Sequence, residues 1–181
     1  VRDSAGYTAL DLAMLAENTD AVNALPPGAQ RSDSVALMYA ARIGDVAMIT
    51  SLLEEGVDVN DTDDRWDRTA LFGAIARGHV GALTALCAAG IDANRADLEG
   101  NTVLLIAARR GDAAMVTALI AAAGGGLDVN LSARESRSGR LNGENGNPYG
   151  VNPLRQAAKI DGVDVINALL AADGIEVDAA D

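Results

Sequence analysis

Five times along the chain a leucine is followed three residues on by an alanine and fifteen residues on by a second leucine: Leu10/Ala13/Leu25, Leu37/Ala40/Leu52, Leu71/Ala74/Leu86, Leu104/Ala107/Leu119 and Leu154/Ala157/Leu169. The first leucines are 27, 34, 33 and 50 residues apart, so the central steps define a unit of about 33, with a deletion before them and an insertion after. A unit this short cannot bury an apolar face by itself; like units must stack and cover one another. The 181 residues are therefore read as five short stacked units and not as one wide globular core. Composition agrees: 49% of the residues are hydrophobic but only 3% aromatic, so alanine and leucine must pack thin helices closely side by side.

Within the frame, words recur. The fourth unit reads Asp97-Leu-Glu-Gly100-Asn-Thr102-Val-Leu104-Leu-Ile-Ala107-Ala108-Arg-Arg-Gly111-Asp112, then Met115-Val116 and Leu119-Ile120, closing on Leu127-Asp-Val-Asn130. The third keeps Thr69-Ala-Leu71, Ala74, Gly78-His79, Leu86, Gly90 and Asp92-Ala-Asn94. The second keeps Ala40-Ala41, Gly44-Asp45, Leu52-Leu53, Gly56 and Val57-Asp-Val-Asn60, and the fifth Asn152-Pro153-Leu154, Ala157-Ala158 and Leu169-Leu170. These words resemble the ankyrin repeat, over nearly the whole chain. The resemblance implies an all-α solenoid of stacked helix-turn-helix units with β-hairpin-like turns, whose first helices line a concave groove. A single ankyrin-repeat domain over residues 1–181 is expected, with units at about 1–30, 31–60, 61–94, 95–130 and 150–181 and an insertion loop at 131–149. Val1 falls inside a repeat, with Asp3, Gly6 and Thr8 already in its turn, and the far end reads like the lead into another. A fragment of a longer protein is expected.

Locally, each unit offers two amphipathic stretches too short to be stable helices in isolation. Leu104, Ala107 and Ala108 share one face of the first, and Met115, Val116, Leu119 and Ile120 one face of the second. Thr8, Thr69, Thr102 and Asn152 stand where a side-chain oxygen caps the first helix, and Pro153 suits a first turn. Gly44, Gly78 and Gly111 follow the first helices, where a positive φ is easiest for glycine. Unit five reads Asp161-Gly162 there, which predicts a corner displaced by one residue. The short run Pro26–Ser34 predicts a broken finger between units one and two. The Gly-, Ser- and Asn-rich run 131–149 reads either as a tolerated insertion or as a partner-contacting loop, and Gly124-Gly125-Gly126 as a smaller insertion.

The formal charge of −12 argues against wholesale binding to nucleic acid or an anionic membrane. No stretch approaches eighteen consecutive apolar residues, and neither a transmembrane span nor a signal peptide is expected. The lone cysteine, Cys87, excludes an internal disulfide framework, takes a core position in its unit and favours an intracellular, cytoplasmic setting. The one histidine, His79, offers no multi-histidine zinc site, and the resemblance implies that it ties neighbouring turns by hydrogen bonds. Asp58 to Asp67 is rich in carboxylates but lacks the glycine and glutamate of an EF-hand loop, and Gly124–Gly126 lacks the Lys-Ser/Thr of a phosphate loop. No cofactor, metal or small-molecule substrate is expected, and no catalytic set is found.

The basic residues are distributed unevenly. Arg42, Arg77, Arg109, Arg110, Arg155 and Lys159 fall on four successive first helices, and the second helices carry none of the fourteen. Stacking would align them into a basic stripe on an acidic body, to which Arg134, Arg137 and Arg140 of the long loop would add. Basic side chains in the last turn also complement the helix dipole, which explains their place along the helix but not their absence from the equally short second helices. Arg65-Trp66-Asp67-Arg68 at a turn tip reads as an interface anchor or as a Trp folded over its own turn; Tyr149 occupies a matching tip. The expected function is a non-catalytic protein-protein interaction module that binds an acidic or phosphorylated peptide, or an acidic protein face, through groove and turn tips. A targeting or regulatory domain of a larger enzyme, and a structural spacer, remain as alternatives.

Overall fold

A computed structural model describes residues 3, 7–24, 32–63, 66–131, 152–172, 174 and 175. Its helices come in pairs: α1 (Ala9–Leu15) and α2 (Thr19–Ala24), α3 (Asp33–Ile43) and α4 (Val46–Glu54), α5 (Ala70–Arg77) and α6 (Val80–Ala88), α7 (Val103–Arg109) and α8 (Ala113–Ala123), α9 (Pro153–Lys159) and α10 (Val163–Leu170). The first helices pack in one row, α1 on α3, α3 on α5, α5 on α7 and α7 on α9; the second helices α4, α6, α8 and α10 pack in another. None exceeds eleven residues, so neighbours and not helix propensity hold them. No described helix is long and apolar enough to cross a membrane.

The repeated frame is the core. Leu37, Leu71 and Leu104 are buried, as are Leu52, Leu86, Leu119 and Leu169, while Leu10 and Leu154 of the outer units are half-buried. Ala40, Ala74, Ala107 and Ala157 have no exposed surface, which explains the alanine: any larger side chain there would push adjacent units apart. Leu25 lies outside the described residues, as do Pro26–Arg31 of the broken finger and the run 132–149.

The corner between the two helices of each unit is one left-handed residue. Gly44, Gly78 and Gly111 take φ of 74°, 77° and 72°. Glu17 and Asp161, in the same register, take 52° and 51°. The fifth corner is therefore not displaced: Asp161 itself adopts the glycine conformation, and Gly162 becomes the cap residue of α10. Glycine is needed at residue 44 for a second reason, because a Cβ there would lie 2.7 Å from Nδ1 of His79. The His79 ring packs over that corner and its Nε2 lies 3.0 Å from the Arg42 carbonyl oxygen, tying the third unit to the second as the resemblance implied.

Caps follow the expectation with one exception. Thr8 Oγ1 accepts from Asp11 N, Thr102 Oγ1 from Leu105 N and Asn152 Oδ1 from Arg155 N. Thr69 does not cap: its hydroxyl is buried with no hydrogen-bond partner among the described residues. The finger before it is one residue longer than in unit four, counting from Asn60 to Leu71 and from Asn94 to Leu104, while both fingers turn through a left-handed residue two positions before the threonine, Asp67 at φ 55° and Gly100 at φ 78°. Isolated antiparallel bridges, Thr62 with Thr69 and Ala96 with Thr102, close the finger bases.

The Asp-x-Asn words carry a second, polar ladder. Asp58, Asp92 and Asp128 each accept from the backbone of the asparagine two residues on. Those asparagines then reach the next unit: Asn60 Oδ1 accepts from Asp92 N (2.8 Å), Asn94 Oδ1 from Asp128 N (2.7 Å), and Asn130 Nδ2 donates to Gly174 O (2.8 Å). Gly126, in the short helical turn Gly124–Gly126, joins this ladder by accepting from Asn94 Nδ2. Within the acidic run at 58–67, Asp58, Asp63 and Asp67 are thereby committed to turn bonds, with Asp63 accepting from Trp66 N, and Asp67 from Thr62 Oγ1 and Arg95.

Among the described residues, unit one is tied to unit two by a buried carboxylate. Asp11, fully buried, accepts from Thr8 N (2.8 Å), Ser32 N (2.6 Å) and Ser32 Oγ (3.0 Å), so that the capping box of α1 also holds the N-cap of α3. Burial opposes ionisation of Asp11, but the hydrogen bonds from Ser32 and Thr8 outweigh it and hold the carboxyl below its ordinary value. The folded chain thus binds this proton less readily than the unfolded chain. The stability it contributes is present above the unfolded value of about 3.9 and is lost as pH falls through the folded one. Asp11→Ala is expected to cost on the order of 2 kcal/mol at neutral pH. In urea melts from pH 7 to pH 3, that difference should shrink toward the acid end; a constant gap would show that the charge of Asp11 is not what matters.

Candidate functional site

The last turns of α3, α5 and α7 carry Arg42, Arg77 and Arg109, and stacking brings these side chains around one cavity on the face made by the first helices. Its volume is about 460 Å³, in the range of clefts that hold ligand-sized groups. Met14, Met38, Phe72 and Ile106 give it an apolar floor, Leu15 of unit one forms part of a wall, and Trp66, 38% exposed, stands at the finger side. Arg42, Arg77 and Arg109 of the basic stripe and Trp66 and Arg68 of the turn tip therefore line one cavity.

The cations are not equally available. Glu17, at the left-handed corner after α1, binds both Arg42 and Arg77. Arg68 is turned to the next finger: its Nε and Nη2 donate to Asp97 Oδ2 at 3.0 and 2.7 Å, and its guanidinium carbon lies 5.5 Å from the Trp66 ring centre and 5.8 Å from that of Phe72. Arg68 thus positions Trp66 and locks finger to finger, while lining the cavity as well. The backbone makes the same link, with Leu98 N donating to Trp66 O at 2.9 Å. Arg109 and Arg110 are exposed and have no ion pair among the described residues.

Arg110, just beyond the end of α7, and Arg155 and Lys159 on α9 lie outside the cavity lining. Arg65, Tyr149, Arg134, Arg137 and Arg140 lie outside the described residues. Cys87 is half-buried against the core, where burial pushes its thiol pKa up, so it packs as a small apolar group and not as a nucleophile. Among the described residues no cluster of His, Cys, Asp and Glu has the arrangement of a metal site.

Three contributors escaped the sequence reading. Glu17 had a signal, since it breaks a register otherwise held by glycine or aspartate. Asp11 had one too, three residues after the Thr8 cap in the pattern of a capping box. Asp97 was visible as the first letter of a repeated word, but its side chain, with no exposed surface, is the acceptor for Arg68 across 29 residues.

Paired helices stacked in two rows, joined by left-handed corners and hydrogen-bonded fingers, with a cavity on the face of the first row, define a stacked helical-repeat protein. The family model for ankyrin repeats, three copies, matches residues 37–133, and the chain belongs to the ankyrin-repeat family. No curated protein matches the chain. Ankyrin repeats are generally protein-protein interaction modules without catalytic chemistry.

Proposed function

We propose that the chain binds an acidic segment of a protein partner along its concave groove. An apolar side chain of the partner would enter the cavity beside Trp66, over Met38, Phe72 and Ile106, and carboxylates or phosphates to either side would meet Arg77, Arg109 and Arg110. The observation that supports this reading is a ligand-sized cavity, part apolar and part polar, whose lining holds four guanidinium groups against the one carboxylate of Asp63, on a chain of net charge −12. A cavity of that sign on such a body attracts anions and turns away basic partners.

Trp66 is the sole tryptophan, so its emission reports on this groove. Titration with a terminally blocked peptide of one leucine between two pairs of glutamates should change that emission, and the glutamine counterpart should bind at least several-fold more weakly. Equal affinity for the two peptides would remove the electrostatic part of the reading. Arg109→Glu with Arg110→Glu should lower affinity for the acidic peptide by tenfold or more, on the order of 1.4 kcal/mol. It should also flatten the salt dependence while leaving the melting midpoint nearly unchanged, because both side chains are exposed. Unaltered affinity would place binding elsewhere.

A further inference from the structure

Arg42 and Arg77 stand one helix apart in the first row, and a single carboxylate, Glu17 from unit one, serves both. We infer that the Arg42–Arg77 pair is a carboxylate subsite of the groove, held by the chain's own Glu17 until a carboxylate of the partner takes its place. The inference rests on the groove being the partner site.

Units two, three and four carry glycine at the corner register, whereas Glu17, like Asp161 of unit five, is held in the left-handed region, here at φ 52°, where a side chain is disfavoured. What the chain gains there in place of glycine is a carboxylate that reaches Arg77 across 60 residues. The bond pattern is that of a ligand: one carboxylate bridging two guanidinium groups at the edge of a cavity that both arginines line. A glutamate, an aspartate or a chain-terminal carboxylate of a partner offers the same atoms.

The pairing is also displaceable. The Glu17 side chain is 25% exposed, that of Arg42 32% and that of Arg77 49%, so water reaches all three and the pairs are screened. Unit one, which supplies Glu17, also supplies Met14 and Leu15 to the cavity. Arg109, next in the row after Arg77, has no ion pair among the described residues and is open to a second anion. An acidic segment that begins on Arg109 and continues along the row thus competes with Glu17 for Arg77 and Arg42. In the free chain the competing carboxylate lowers the apparent affinity by the fraction of time it occupies the subsite.

The experiment compares the full chain with Glu17→Gln and Glu17→Gly, using Trp66 emission, the leucine–glutamate peptide and its glutamine counterpart. Both variants should bind the acidic peptide about threefold to tenfold more tightly than the wild type, with no gain for the glutamine peptide. Glu17→Gly should melt no lower than the wild type, because glycine relieves the left-handed corner as the two ion pairs are lost. Affinity equal to or below that of the wild type would overturn the inference while leaving the groove reading intact. A lower melting midpoint together with weaker binding would make Glu17 a strut for unit one and overturn it as well. If none of the three proteins binds the acidic peptide, the groove reading itself fails, and this inference with it.

Discussion

Leu104→Ala is expected to lower the stability of the folded chain by about 2–5 kcal/mol. The leucine is 1% exposed and sits in α7, which packs against α5, α8 and α9, so its side chain is surrounded on several sides. Truncation loses the transfer free energy of the removed carbons and leaves a cavity that the array cannot close. Collapse is resisted because Ala74, Ala107 and Ala157, with no exposed surface, are already closely packed between the helices. Since the helices of each unit pack mainly on those of adjacent units, damage at the fourth also weakens coupling along the array. Urea unfolding should show a lower midpoint and, where coupling breaks, a broadened or split transition. A loss below about 0.5 kcal/mol would contradict the stacking register.

Asp97→Ala should cost about 2–4 kcal/mol, an effect of similar size at a polar site. The carboxylate has no exposed side-chain surface and accepts from Glu99 N and Asn101 N at 2.9 Å each, and from both Nε and Nη2 of Arg68. Removing it leaves the Asn101 amide, which is buried, without its acceptor, and leaves Arg68 without its partner. Arg68 keeps access to water, with 34% of its side chain exposed, and this places the cost below that of breaking a fully buried pair. A second readout separates this from general damage. Arg68 lies over Trp66, so its release should alter tryptophan emission in the folded state, before unfolding begins. Unchanged emission with the full stability loss would mean that Asp97 supports the finger backbone but does not position Trp66.

Much of the fold was legible because stacking imposes the same demand at the same register in each unit. A buried leucine, an alanine at closest approach, a left-handed corner and an asparagine that reaches the next finger each recur as a residue type, and recurrence is what a single sequence can display. Features that occur once were harder to read. Thr69 has the same identity and register as Thr102, yet its buried hydroxyl has no hydrogen-bond partner among the described residues. Asp161 adopts a glycine conformation that its identity argues against, because the corner it occupies is fixed by the helices on both sides. The row of first-helix cations was visible as a pattern. Which of them are engaged was not, since Arg77 meets Glu17 and Arg68 meets Asp97 only through the rise and rotation between units. The convergence of Trp66 and the arginines on one cavity depends on the same superhelical geometry.

The central claim is that the first-helix face is where partners dock. Affinity capture from cell extract with the full chain, with Arg109→Glu/Arg110→Glu and with a control carrying Thr84→Glu/Thr117→Glu on the exposed outer side of α6 and α8 tests it most directly. Quantitative mass spectrometry should find a set of proteins enriched by the wild type and by the control but lost from the groove variant, with acidic segments in the proteins lost. Capture of the same set by all three would contradict the groove as the binding surface, and loss confined to the control would move the surface to the second helices.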